Sequence, residues 1–219
     1  MSRKVVRLTL DHLAALEGPC RTCLFWQLDP VSRGRVDAAD AAAEKEAWVS
    51  QVLREWGSCG RVVLVDDQPV GLAIYAPTAF LPGAGGFATA PVSPDAVLLA
   101  SVWVHPAHTG GGLARMLVQG TARDLIKRGS IRAVEAFGDT RGPAREPHTT
   151  CTVPADFLGS VGFKTQRAHR TTPRMRMELR TAISLKSEVE AALERLVGVV
   201  RPTQTSPGRA GRATRADLN

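Results

Sequence analysis

A chain of 219 residues, 44% hydrophobic and 22% charged, has the make-up of a soluble globular protein with room for one good-sized domain or two small ones. No apolar run approaches the roughly 18–20 residues that span a bilayer. The opening MSRKVVRLTLDHLAALEG lacks the apolar stretch and cleavage site of a secretory signal, so no membrane and a cytoplasmic setting are expected. Of the net charge of +7, residues 201–219 carry +3 (Arg201, Arg209, Arg212 and Arg215 against Asp217), which leaves a modest excess elsewhere that suits an anionic small molecule as well as a nucleic acid.

Residues 4–10 alternate like a first strand, and Asp11 is placed to cap a short helix to Leu16, before Gly18-Pro19. The segment CRTCLFWQLDP is apolar and irregular. Residues 37–56 are alanine-rich and poor in β-branched side chains, which predicts a helix stopping at Gly57. RVVLVDDQPVGLAIYAP predicts a β-hairpin turning at Asp66-Asp67-Gln68-Pro69. Residues 80–94, rich in Gly, Ala and Pro, predict a loop, either a lid or a disordered connector. Residues 97–104 (VLLASVWV) form a buried strand that stops at His105-Pro106, and a helix follows to about Arg128. Residues 131–137 are another strand and 139–150 a polar loop. A short helix over 154–161 then leads through Gly162-Phe163 into strands 164–169 and 174–179. Leu185, Val189, Ala192, Leu193, Leu196, Val199 and Val200 make the apolar stripe of a helix over 184–200, which packs on its own domain or forms a homodimer contact. The tail 201–219 has the composition of a disordered basic extension. Salt-dependent nucleic-acid binding that vanishes on deleting it is the least favoured reading of the chain.

The stretch VHPAHTGGGLARMLVQG decides the functional reading. The first turn of a helix offers N–H groups without intrahelical partners at its positive end, and residues without side chains let a phosphate reach them. The alternative is a tight turn that only packs helix on sheet. No Gly-Lys-Ser/Thr follows, so the turn is not a P-loop. The dinucleotide fingerprint fits Gly110 and Gly112 but meets Arg115 at its third glycine.

Val104-His105-Pro106 followed by Thr109-Gly110-Gly111-Gly112-Leu113-Ala114 resembles the coenzyme A-binding turn of GNAT acyltransferases, with Thr109 where that family has Arg or Gln. The resemblance spans about residues 4–179 and implies an α/β (α+β) fold. Its mixed, mostly antiparallel sheet would be flanked by helices, with the C-terminal amphipathic helix as an addition. The expected organisation is an acyltransferase domain over 1–180, that helix over 181–200 and the tail over 201–219.

The resemblance also implies transfer of an acyl group from acetyl-CoA to an amine. Gly110, Gly111, Gly112, Leu113 and Ala114, with Thr109, would cradle the pyrophosphate, and the main chain of Val102, Trp103 and Val104 would hold the pantetheine arm. The family's usual tyrosine acid falls on Leu158, and Cys151 stands where an asparagine is common. Cys151 is therefore a candidate acid, or else a small buried residue. Glu135 is a candidate base on an apolar strand, where a carboxylate must face solvent or a cleft or be paired. His105 is a second candidate, or a turn cap. An acyl-CoA sensor without turnover is the competing function.

Cys20-Arg21-Thr22-Cys23 has the spacing of half a zinc site but lacks a second pair, so no metal is expected. The four cysteines are expected to be reduced thiols. Phe25 and Trp26 belong to the core or to the acceptor side.

Overall fold

The structure, a computed structural model, describes residues 1–141 and 151–179. The expected helix over 184–200 and the tail lie outside the described residues. Eight strands form one mixed sheet: β1 (Arg3–Arg7), β2 (Gly60–Val65), β3 (Gln68–Ala76), β4 (Ala96–Val104), β5 (Ala133–Asp139), β6 (Val153–Pro154), β7 (Lys164–Arg167) and β8 (Arg174–Glu178). The order is β1-β2-β3-β4-β5-β8-β7, with β6 attached to β5, and every pairing is antiparallel except β4 with β5 and β5 with β6. The helices are α1 (Leu10–Ala15), α2 (Pro30–Arg33), α3 (Ala41–Trp56), α4 (Leu113–Arg128) and α5 (Ala155–Ser160).

Alternation along the strands gives the sheet two apolar faces. On one face Val63, Tyr75, Val97, Leu99 and Val134 meet Leu113, Leu117 and Leu125 of α4 and Leu158 of α5. On the other, Val62, Leu72, Ile74, Leu98 and Phe137 meet Leu13 of α1, Val49 and Val52 of α3, and Trp26. Both layers of helix are thus fixed by which strand positions are odd and which are even.

The hairpin turns on two residues, Asp66 and Asp67, both with positive φ (47° and 68°). That is the primed turn whose twist matches a two-stranded ribbon, and Asp tolerates it better than most side chains. Gln68 and Pro69 already belong to β3, so the turn is shorter than the sequence suggested. Helix α1 begins at Leu10 and is capped by Thr9, whose Oγ1 accepts the His12 N–H at 3.3 Å, rather than by Asp11.

Residues 80–94 correct the lid-or-connector expectation. They fold into short 3₁₀ turns at Thr78–Phe80 and Pro82–Gly86, and bury Leu81, Ala84, Thr89 and Val92. Phe87 in this segment stacks between Trp26 (5.1 Å) and Phe137 (4.3 Å), so the segment is part of the core.

Candidate active site

Strand β4 pairs with β5 at three positions only: Ala96 with Ala133, Val97 with Val134 and Leu98 with Glu135. Just beyond, the β3–β4 register slips, Tyr75 facing Leu99 and Ile74 facing Ser101, so Ala100 is the extra residue of a bulge. A bulge bends its strand, and from Leu99 to Val104 β4 keeps only β3 as a strand partner. Strand β5 goes the other way, to β8 through Ala136 and Phe137. The Gly138 N–H donates to Pro173 O on the β8 side at 2.8 Å, so β6, which pairs at Gly138 and Asp139, takes the edge that β4 has left. The result is a cleft in the middle of the sheet, walled by Val102–Val104 on one side and by the start of β6 on the other.

Helix α4 starts at the end of β4. Gly112 is its N-cap in a left-handed conformation (φ 77°), and Gly110 is left-handed too (φ 79°). A Cβ at either would meet nothing within 4 Å, so their identity follows from backbone conformation and not from crowding. The turn therefore directs the free N–H groups at the start of a sixteen-residue helix outward, at the mouth of the cleft. Within α4, by contrast, Gly120 is a packing glycine: a Cβ there would come within 2.7 Å of Val5 Cγ1, so its absence seats α4 on β1.

Thr109 does not replace the missing long side chain, since its hydroxyl donates to Pro106 O at 2.9 Å. Arg3 of β1 arrives instead. Its Nη1 donates to Gly111 O at 2.9 Å, and the guanidinium lines a shallow cavity of about 160 Å³ with His108, Thr109, Gly111 and Leu113. A charge at this turn supplied from 108 residues away has no signature in the local motif.

Glu135 is fully buried, and it is paired. Its carboxylate contacts Arg174 and Arg176 at 3.1 Å each and accepts the Ser93 N–H at 3.1 Å. Asp95 and Glu178 share Arg176 and, with Glu135, raise its pKa. His105 caps the turn after β4, Nδ1 accepting the Ala107 N–H at 3.2 Å, with the Trp103 ring edge-on at 6.1 Å. Leu158 is buried under the sheet with no polar role, and the chain's one tyrosine, Tyr75, is committed to the core: its hydroxyl donates to Asp124 at 2.7 Å. Burial raises the Tyr75 pKa further.

Cys151 stands just before β6, on the β5 wall of the cleft. Its sulfur lies 2.7 Å from that of Cys23, and its carbonyl accepts the Trp26 indole N–H at 3.0 Å. The hydrogen bond between the thiols lowers Cys23 to about 6 and, with burial, raises Cys151. Trp26 itself is core, and Phe25 is half-buried beneath the Arg33 guanidinium at 4.9 Å. Among the described residues no cluster of His, Cys, Asp or Glu is arranged to hold a metal ion, and no helix is long and apolar enough to cross a membrane.

The profile of the acetyltransferase (GNAT) family matches residues 23–146, from the first cysteine of the thiol pair through the cleft and the glycine turn. The chain belongs to the GNAT acetyltransferase family. Solved structures share its fold. An acetyltransferase superposes with a TM-score of 0.55 at 16% identity over 80% of this chain and 99% of its own. The aminoglycoside acetyltransferase AAC(6')-Ib, in complex with coenzyme A, gives 0.52 at 16% identity over 84% and 98%. The PaiA N-acetyltransferase of Thermoplasma acidophilum, also with coenzyme A, gives 0.50 at 11% over 81% and 99%. No curated protein matches the chain. Acetyl-CoA is the cosubstrate of the GNAT family, and a GNAT chain that opens its sheet beside a glycine-capped helix has the parts to take it.

Proposed function

We propose that the protein transfers the acetyl group of acetyl-CoA to an amine. The observation that carries this is the parting of β4 from β5 directly beside the glycine N-cap of α4. An extended thiol arm would add to the free edge of β4 along Val102, Trp103 and Val104 as a strand adds to a sheet edge. Its pyrophosphate would meet the N–H groups of Gly110–Ala114, with the Arg3 charge alongside.

Acetyl transfer needs the amine nitrogen to bond the carbonyl carbon, the C–S bond to break and the departing thiolate to gain a proton. Cys151 suits the last task. It stands at the cleft wall, and its raised pKa keeps it protonated at neutral pH. Glu135 is poorly placed as a base, because two arginines and a backbone N–H enclose it. We assign it to holding β5, β8 and the segment before β4 together, and the amine's proton to water. His105 sets the turn that aims β4 into α4.

The test is calorimetric titration of acetyl-CoA and of coenzyme A into wild type, Gly112→Glu and Gly112→Asn, followed by an amine screen. Asn tolerates the left-handed backbone, so it separates strain from charge. Binding that survives Asn and falls at least tenfold with Glu supports the reading. No binding by the folded wild type overturns it.

A further inference from the structure

Every cysteine of the chain surrounds one buried lysine. Lys45, in α3, is only 3% exposed, its Nζ donates to Cys23 O at 2.8 Å, and Cys20, Cys23, Cys59 and Cys151 all act on its charge. Burial lowers the Lys45 pKa, and nearby thiolates raise it back. Cys20 sits in a 3₁₀ turn after α1, Cys23 just past it, Cys59 before β2 and Cys151 before β6, so four separate segments converge here. Within the cluster the cysteines are not equivalent. Cys59 is fully buried, and burial pushes both it and Cys20 up to about 12, which leaves them inert thiols. Cys23 and Cys151 are partly exposed, and only these two sulfurs are in contact among the described residues.

We propose that Cys23 and Cys151 form a reversible, peroxide-driven disulfide that joins the segment after α1 to the cleft wall before β6. The Cys23 thiolate attacks one peroxide oxygen. The O–O bond breaks, an S–O bond forms, and hydroxide leaves to become water by taking a proton. The Cys151 sulfur then attacks the sulfenic sulfur of Cys23, the S–O bond breaks, and the second oxygen leaves as water with the proton of Cys151. The two thiols lose two electrons and two protons, and hydrogen peroxide is reduced to two molecules of water.

Geometry favours the second step more than acidity favours the first. A thiol at about 6 is some 30-fold more ionised at pH 7 than an ordinary cysteine, but its lower basicity gives back roughly a factor of ten in nucleophilicity. The net gain at Cys23 is about two- to threefold. The larger effect is that the resolving sulfur is already at 2.7 Å, against about 2.05 Å in a disulfide, so closure competes with further oxidation. Groups around Cys23 that shift with pH are Cys20 on its own segment, Lys45 from α3 and Cys151 before β6. Arg33 from α2 adds a fixed positive charge.

Bond formation stands apart from the acetyltransferase reading, but the consequence rests on it: a disulfide leaves Cys151 no proton to donate. The experiment treats the reduced full-length protein with stoichiometric hydrogen peroxide, blocks free thiols, and maps peptides by mass spectrometry, with dithiothreitol reversal. The expected result is a Cys23–Cys151 linked peptide, formed equally in a Cys20→Ser/Cys59→Ser double variant, and lost in Cys23→Ser and in Cys151→Ser. Linkage of other cysteines, or accumulation of sulfinic acid at Cys23 in wild type, overturns the proposal without any variant having to fold. Linkage with acetyl transfer unchanged upholds the disulfide and removes Cys151 from catalysis.

Discussion

Replacing Glu135 with glutamine separates a structural carboxylate from a catalytic one. In the fold, the carboxylate has no exposed surface and neutralises two guanidinium groups that are each only 13% exposed. Removing one member of a buried charge pair costs about 3–5 kcal/mol, because the partner is left buried without compensation. Here the lower end applies. Arg176 keeps Asp95, at 2.9 Å, and Glu178, whereas Arg174 keeps only a carbonyl, that of Pro91, among its described partners. Glutamine also preserves the volume and can still accept the Ser93 N–H. A loss of about 3 kcal/mol in a protein of this size lowers the melting temperature by roughly 6–12 °C. The assay is thermal unfolding followed by circular dichroism, alongside steady-state kinetics at a temperature where both proteins are folded. The expected outcome is the drop in melting temperature with kcat within a few-fold of wild type. An unchanged melting curve with kcat reduced a hundredfold or more, the size expected of a lost general base, would refute the structural assignment.

Arg3→Ala should weaken coenzyme A binding several-fold in low salt, and Arg3→Lys should retain most of it, both read by calorimetry; equal affinity in Arg3→Ala means the guanidinium only braces Gly111. Acid stability should report Asp139, which the Arg141 guanidinium holds down at about 2, against 3.8 for an unperturbed side chain. Its folded-state pKa is depressed, so its contribution is complete above about pH 4 and drains away as the pH falls towards 2. Urea unfolding of wild type and Asp139→Asn across that range should converge at the acid end, and parallel curves would contradict this.

Local chemistry made the strands, the hairpin and the helix stops readable. Asp66-Asp67 names its turn, and Gly57 and Gly129 end α3 and α4 where the sequence placed those ends. The strand, glycine turn and helix at residues 97–128 were legible because the whole device is contiguous. What could not be read is what distant segments contribute. Arg3 reaches Gly111 only because β1 lies beside α4, and Arg174 and Arg176 find Glu135 only through the β5–β8 register. Cys23 meets Cys151 across 128 residues. The bulge at Ala100 has no residue signature, since alanine in an apolar strand announces nothing. Residues 80–94 misled for a related reason: small residues suggest a loop, but Leu81, Phe87 and Val92 among them supply enough apolar surface to dock it.

The bulge at Ala100 leaves the molecule with an unguarded strand edge in its interior rather than at its rim. Edges at the rim of a sheet are commonly protected by charge, proline or brevity, whereas Leu99–Val104 carries no charged side chain and no proline. Its protection is positional: the helices on both faces and β6 across the cleft admit a slender chain end-on and exclude a second sheet. In effect the fold keeps one rung of its ladder open to a strand-like visitor and turns away strands from other molecules. The cleft thereby screens out self-association by the same shape with which it would select a ligand.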